Sequence, residues 1–124
     1  MEIKIIKKNK KNFLDLLLLG DEQEDMIDKY LESGKMFALY DDDDLKSICV
    51  VTKEGKDVIE IKNLATYEKY QRQGYGSKLI KYIFEYYRDK CKTIFVGTGE
   101  GTSNVSFYEH CGFKLSHKVK NFFI

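Results

Sequence analysis

The chain has 124 residues, of which 33% are charged, and its 21 Lys and Arg against 20 Asp and Glu leave a formal net charge of +1. This length suits one domain covering residues 1–124, and the balanced charge gives no global field that would favour nucleic acid or an anionic membrane. The three cysteines are widely spaced and form no CxxC pair. We therefore expect reduced thiols, with neither a disulfide framework nor a metal site.

The sequence also shows no sign of export or membrane insertion. The apolar run at residues 16–19 is far shorter than the ~20 residues that span a bilayer. The N-terminus lacks the apolar segment and small-residue cleavage site of a signal peptide. We therefore expect a cytoplasmic protein.

The first elements in chain order are a strand and two helices. Residues 1–6 alternate apolar and polar side chains, which predicts a short strand. Asn12 is a suitable cap for a first helix that stops at Gly20. Asp21 is a suitable cap for a second helix, and Gly34 ends its apolar stripe.

Three antiparallel strands are predicted next. Residues 35–40 and 45–52 are rich in β-forming side chains. The four carboxylates at residues 41–44 between them suit an exposed hairpin turn, because a calcium loop would need a longer ligand pattern with a central glycine. Residues 58–66 form a long apolar strand that is interrupted by Glu60.

The rest of the chain alternates between helices and strands. Apolar residues recur at steps of 3 and 4 from residue 74 to residue 88, which predicts the clearest helix. Residues 93–96 predict a buried strand, residues 102–110 a short helix closed by Gly112, and residues 113–123 a final strand. Together the elements indicate an α/β (α+β) fold with a mixed, mostly antiparallel central sheet flanked by helices.

The loop Gln71-Arg72-Gln73-Gly74-Tyr75-Gly76 joins a predicted strand to the clearest helix. The unpaired N–H groups at the start of that helix would point into the loop, where the helix dipole adds about half a positive charge. Gly74 and Gly76 lack Cβ atoms, so phosphate oxygens can approach the backbone. Taken alone, two glycines before a helix more often form only a tight turn. The spacing matches neither a P-loop nor a Rossmann fingerprint.

This loop resembles the pyrophosphate loop of the GNAT superfamily, the Gcn5-related N-acetyltransferases, whose pattern is (R/Q)-x-x-G-x-(G/A). The segment Phe107-Tyr108-Glu109-His110-Cys111-Gly112-Phe113 is similar to the family's F-Y-x-x-x-G-F segment after the fifth strand. The predicted element order also agrees with that fold from the first strand to the sixth. The resemblance implies a GNAT-like acyl-CoA N-acyltransferase fold. Because nothing follows Ile124 here, we expect the family's last strand to be lacking, through truncation or because it comes from elsewhere.

The resemblance implies an N-acetyltransferase in which a primary amine of a small molecule or peptide attacks acetyl-CoA directly in a ternary complex. Such an amine has a pKa of ~10.4 and must lose a proton, while the leaving thiolate needs a donor. Tyr108 is the candidate donor, because a phenol stays protonated at neutral pH. The alternative is that Tyr108 only packs against the core or the rim of the site. Glu60, eleven residues before Gln71, is the candidate base. It could equally pair with Lys62, and a water chain could replace it.

The resemblance also assigns residues to acetyl-CoA, the expected acyl donor. The backbone of Leu64, Ala65 and Thr66 is expected to bind the pantetheine arm, where the family's fourth strand splays from its fifth. Asn104 lies four residues before Tyr108, whereas the family's asparagine often lies seven residues before that tyrosine. The other residues expected to contact the coenzyme are Gln71, Arg72, Gln73, Gly74, Tyr75, Gly76, Ser77 and Phe107.

Two other interpretations use the same residues. A CoA-binding regulatory or sensor module would bind the coenzyme without turnover, and an interaction protein would use the glycines only as turn residues. Acidic residues at 21–25 and 41–44 could attract a cationic amine acceptor. A homodimer is among the expected assemblies. We expect neither nucleic acid nor a membrane as a partner.

Overall fold

The structure is a computed structural model that describes residues 1–97, 104–115 and 121–123. Within these residues the strands are β1 (Glu2–Ile6), β2 (Lys35–Asp41), β3 (Asp44–Gly55), β4 (Val58–Thr66), β5 (Thr93–Gly97), β6 (Lys114–Leu115) and β7 (Asn121–Phe123). The α-helices are α1 (Leu14–Gly20), α2 (Glu24–Tyr30), α3 (Tyr75–Tyr87) and α4 (Asn104–His110). No helix of the described ranges is long and apolar enough to cross a membrane.

The strands form one sheet in the order β1-β2-β3-β4-β5-β7-β6. Strands β4 and β5 run parallel, and the other neighbouring pairs run antiparallel. Helix α3 makes the crossover that a parallel pair requires. The predicted mixed, mostly antiparallel sheet flanked by helices is therefore confirmed.

Two apolar cores lie on opposite faces of the sheet. On one face α1 and α2 pack over Met36 and Ala38 of β2, and on the other α3 and α4 pack over Phe37 and Leu39. Both faces of β2 are therefore buried, which explains why it is a continuous apolar run instead of an alternating one. Each fully buried Leu or Ile side chain contributes about 1.5–3 kcal/mol to stability. The fully buried or almost fully buried positions of α3 are Leu79, Ile80 and Ile83.

The acidic run between β2 and β3 forms the predicted hairpin turn. Asp42 and Asp43 are its two central residues, with φ angles of 54° and 65°. Positive φ at both central positions is the geometry of a two-residue turn whose twist matches the flanking strands. Aspartate tolerates this left-handed backbone better than most residues do, so the prediction of a turn at residues 41–44 is confirmed.

The predicted helix caps were wrong. Asn12 lies inside a 3₁₀ turn, Lys10–Phe13, and α1 begins after Phe13 with no capping hydrogen bond from a side chain. Helix α2 begins after Gln23, whereas Asp21 follows the last residue of α1. The carboxylate of Asp21 instead accepts a hydrogen bond from the hydroxyl of Tyr30 at 3.2 Å.

The expectation that the last strand is lacking was also wrong. Where one strand was predicted over residues 113–123, the structure has β6 and β7, which pair antiparallel. Strand β7 lies between β5 and β6 in the sheet. The sequence at residues 116–120 contains no glycine or proline, so it lacks the residues that usually signal a turn between strands.

A buried asparagine ties β4 to both helices of one face. Asn63 is 3% exposed, and its Nδ2 donates to the carbonyl of Leu17 at 2.9 Å and to the hydroxyl of Tyr30 at 3.0 Å. Its Oδ1 lies so close to Gly20 that a Cβ atom added there would be 2.1 Å away. The end of α1 can therefore approach β4 only because residue 20 has no side chain.

We predict that Gly20→Ala lowers the free energy of unfolding by about 1–3 kcal/mol, because the added methyl group overpacks against Asn63. The control is Gly55→Ala, since a Cβ atom at Gly55 has no neighbour within 4 Å; this variant should stay within about 0.5 kcal/mol of the wild type. Urea denaturation followed by circular dichroism measures both. Equal effects of the two substitutions would contradict the prediction.

Candidate functional site

A cleft of about 990 Å³ opens at the C-terminal end of β4. Strand β4 pairs with β5 only from Val58 to Ile61, although it continues to Thr66. Among the described residues, the rest of β4 therefore has no partner on the side of β5. The cleft is lined by Leu19, Gly20, Asp21, Glu22, Gln23, Ile61, Lys62, Asn63, Leu64, Ala65, Thr66, Tyr70, Gln71, Arg72, Gly74, Tyr75, Gly76, Ser77, Val96, Phe107 and Tyr108.

A bulge in β4 lies among the residues that line this cleft. Val51 pairs with Ile61 and Val50 pairs with Asn63, which leaves Lys62 as an extra residue. Ile61 contributes to the core under α3, but the side chain of Asn63 reaches α1 on the other face. A bulge bends a strand and increases its twist, and this one follows directly after Ile61, the last residue of β4 that pairs with β5.

The turn before α3 presents unpaired backbone N–H groups. Gly74 precedes the helix in a left-handed conformation, with φ 85°, and no side chain caps the helix there. The first helical hydrogen bond runs from the N–H of Lys78 to the carbonyl of Gly74 at 3.0 Å. The N–H groups of residues 75–77 therefore lack helical partners, which is the arrangement that binds anions at helix N-termini.

The side chains of the loop brace the turn and leave these N–H groups uncapped. The Nε2 of Gln71 donates to the carbonyl of Thr66 at 3.1 Å, and the Nε2 of Gln73 donates to the carbonyl of Lys69 at 3.3 Å. Gln71 lines the cleft, whereas Gln73 does not. Arg72 also lines the cleft, and its φ angle is 66°.

Tyr108 of α4 reaches the cleft from within the core. It is 7% exposed, and its ring meets the rings of Phe107 and Phe113 edge to face at 5.2 and 5.7 Å. Burial raises the pKa of Tyr108 well above its usual range, so the phenol stays protonated at physiological pH and can donate a hydrogen bond. Gly112, with φ 108°, ends the helix and allows Phe113 to fold back against Tyr108.

The other predicted site residues divide between those inside and those outside the cleft. Glu60 does not line it, and its Oε2 lies 3.3 Å from the Nζ of Lys62, which does. Phe107 lies across from Gly76, where an added Cβ atom would be 3.4 Å from its ring. Asn104 begins α4, but its side chain lies outside the described residues.

Several cleft residues were not predicted. Gln23, Asn63 and Tyr70 line it without having been assigned a role. Asn63 had a signal in the sequence, since an amide in an otherwise apolar strand must find buried hydrogen-bond partners. Within the described ranges, no group of three His, Cys, Asp or Glu residues is placed to hold a metal ion.

Comparison with known proteins identifies the family to which this chain belongs. Residues 32–115 match the model of the acetyltransferase (GNAT) domain. The chain is 31% identical over 126 residues to the uncharacterized N-acetyltransferase YvbK of Bacillus subtilis (strain 168), covering 100% of this chain and 81% of that protein.

Two solved structures are similar over most of the chain. One is a GNAT family acetyltransferase from Elizabethkingia anophelis with acetyl-CoA bound, with 31% identity and a TM-score of 0.86, covering 93% of this chain and 76% of that one. The other is a Bacillus subtilis acetyltransferase in complex with CoA, with 32% identity and a TM-score of 0.84, covering 93% and 77%. Both are structures of acetyltransferases that hold the coenzyme predicted for this chain.

We predict that Gly74→Ala weakens the binding of CoA by about 10-fold, because a left-handed backbone costs a residue with a Cβ atom roughly 1–2 kcal/mol. If the backbone changes conformation to avoid this cost, the N–H groups of residues 75–77 turn away from a common point. Isothermal titration calorimetry measures the affinity. Gly55→Ala serves again as the control, and an unchanged affinity in Gly74→Ala would contradict the assignment of this turn.

Proposed function

This chain belongs to the GNAT acetyltransferase family and is an acetyl-CoA-dependent N-acetyltransferase, and from that premise we propose that it acetylates a primary amine of a small molecule or peptide by direct attack in a ternary complex. The observation that carries the proposal is the uncapped first turn of α3 in the same cleft as the buried phenol of Tyr108. An anion site and a proton donor on one cleft are what a coenzyme with a pyrophosphate and a thioester requires.

We propose that the coenzyme lies along the open edge of β4. Its pyrophosphate would bind the N–H groups at the start of α3, with Arg72 adding positive charge, and the backbone of residues 64–66 would pair with the pantetheine amides. These residues all line the cleft. The same edge lacks a strand partner in the described residues, and unpaired backbone groups of this kind bind extended ligands.

The proposed reaction requires that one proton is removed from the amine and one proton is delivered to the leaving thiolate. The neutral amine attacks the thioester carbonyl, a tetrahedral intermediate forms, and its collapse breaks the carbon–sulfur bond. Tyr108 then donates its proton to the leaving thiolate, and the amine's proton passes to a base. We propose Glu60 as that base, acting through ordered water because its side chain does not line the cleft. A water chain without Glu60 is the alternative.

The charged residues that line the cleft support a cationic acceptor. Arg72 belongs to the loop before the uncapped start of α3, whereas Asp21 and Glu22 belong to the connection between α1 and α2. The carboxylate of Asp21 is held by Tyr30 at 3.2 Å, and burial raises the pKa of Tyr30 to about 12, so its hydroxyl remains a donor. We infer an acceptor that carries positive charge besides the amine that reacts.

We predict that Tyr108→Phe lowers kcat by about 100-fold, because the variant keeps the ring and removes the proton donor. Since burial raises the pKa of Tyr108, the phenol stays protonated as pH rises, and its own ionisation should cause no loss of rate up to about pH 9. Free-thiol detection of released CoA, with an amine found by screening, measures the rate. A wild-type kcat in Tyr108→Phe would rule out this role.

We predict that Glu60→Gln lowers kcat by about 10- to 100-fold, as expected when a general base is removed. The matched variant is Lys62→Met, which breaks the 3.3 Å ion pair but retains the carboxylate. If the only role of Glu60 is to form that ion pair, Glu60→Gln and Lys62→Met should both lower kcat by the same small factor. The same thiol assay separates these outcomes.

The second candidate function is a CoA-binding sensor without turnover, which would use the same uncapped turn. Acetyl-CoA should then raise the melting temperature, but no amine in a panel of polyamines, aminoglycosides and lysine peptides should release CoA. We further propose one domain over residues 1–124 and a cytoplasmic location. Homodimer formation stays a prediction that size-exclusion chromatography with light scattering would test.

A further inference from the structure

We propose that Lys46 is a positioning residue for coenzyme binding, because its buried ammonium group holds Tyr70 and thereby the turn that carries the uncapped N–H groups of α3. Lys46 belongs to β3 and does not line the cleft, whereas Tyr70 does. The inference rests on the proposed pyrophosphate site and names a residue outside it on which that site depends.

Lys46 is an unusual lysine because it is only 6% exposed. Lysine is almost never buried without a partner. The nearest carboxylate oxygen, on Asp44, lies 3.9 Å away on a side chain that is 66% exposed, and such surface pairs contribute little. The ring of Tyr70 is the closer partner, with its centre 3.5 Å from the Nζ. A cation–π contact at this distance compensates the burial of the charge.

The charge on Lys46 is preserved in this environment. Burial lowers the pKa of Lys46, but the hydroxyl of Tyr70 and the nearby Tyr75 and Asp44 act in the opposite direction, and the net shift is upward. The ammonium group is therefore present throughout the physiological range. It adds a fixed positive charge behind the ring that faces the cleft.

The hairpin of β2 and β3 holds the loop at both ends. At the start of the loop, the N–H of Tyr67 donates to the carbonyl of Lys46 at 3.1 Å, and Tyr70 covers the ammonium group. At its end, the hydroxyl of Tyr75 donates to Asp41 at 2.9 Å. The rings of Tyr70 and Tyr75 meet edge to face at 6.3 Å, so the contacts form one connected brace.

The segment between these contacts is strained. Gly74 takes its φ of 85° without steric cost, but Arg72, two residues earlier, also has a positive φ of 66°, which is a strained conformation for a residue with a Cβ atom. Such conformations persist only where the surrounding structure imposes them. The contacts of Lys46 supply that constraint at one end of the segment. Without them, the N–H groups at the start of α3 would no longer be held towards a common point.

The test compares Lys46→Met with Lys46→Arg by titrating CoA calorimetrically at a temperature where each variant is folded. Methionine keeps the length of the side chain without the charge, and arginine restores a cation that can lie over the ring. We expect Lys46→Met to raise the Kd of CoA about 10-fold and Lys46→Arg to stay within about 3-fold of the wild type, the differences that a lost and a retained contact of this kind produce.

The matched control is Lys69→Met. Lys69 lies over the same ring at 5.0 Å but is exposed, so its loss should leave the Kd of CoA within about 2-fold, as for other exposed charges. Pantetheine, which lacks the pyrophosphate, is titrated by NMR. Its affinity should be the same in Lys46→Met as in the wild type, which a general loss of structure would not produce.

Three results would overturn the inference: wild-type affinity for CoA in Lys46→Met, an equal loss of affinity for CoA and pantetheine, or an equal effect of Lys69→Met. If Lys46→Met does not fold, Tyr75→Phe tests the other end of the brace, and an unchanged Kd for CoA in that variant counts against the inference. Failure of the wild type to bind CoA would overturn the proposed site itself. Binding of CoA without turnover would leave the role of Lys46 intact and contradict only the acetyl transfer.

Discussion

The N–H groups of residues 75–77 precede the first helical hydrogen bond of α3, and no side chain caps the helix at Gly74. Unpaired N–H groups at a helix end need partners, whether water, side chains or a ligand. Here the neighbouring glutamine side chains donate to loop carbonyls instead. The turn thus keeps its donors free at the edge of an open cleft, and the rest of the site is arranged around that anion-binding capacity.

Among the described residues, the sheet leaves one side of the second half of β4 unpaired, next to this turn. The bulge at Lys62 and the early end of the β4–β5 ladder open the cleft below α3. Asn63 anchors the far part of β4 to the opposite layer through Leu17 and Tyr30. The open edge is therefore held in place by hydrogen bonds from the face away from α3. In this way a strand can lack a neighbour on one side and still remain fixed.

Much of this arrangement could be predicted from the sequence, because its signals are local. The loop before α3 depends on two glycines, and the hairpin at residues 41–44 depends on aspartates that accept a left-handed backbone. The element order and the family resemblance followed from the same kind of pattern, and the comparisons confirm the family. The predicted caps were wrong because Asn12 lies inside a 3₁₀ turn and α2 starts only after Gln23. Asp21 accepts from the N–H of Gln23 and from the hydroxyl of Tyr30, and the second of these is a tertiary contact that no local pattern reveals. The bulge at Lys62 likewise depends on the register between β3 and β4, and the environment of the buried Lys46 includes Tyr70, a residue distant in the sequence.

Two separate parts of the chain line the cleft. Residues 19–23, at the end of α1 and in its connection to α2, form one part, and the loop before α3 forms another. Asn63 of β4 donates to the carbonyl of Leu17 in α1 and to the hydroxyl of Tyr30 in α2. The proposed acceptor surface and the proposed coenzyme site therefore belong to different segments of the chain. Exchanging the α1–α2 connection for that of a relative is a way to change the proposed choice of amine while the residues proposed to bind CoA are retained.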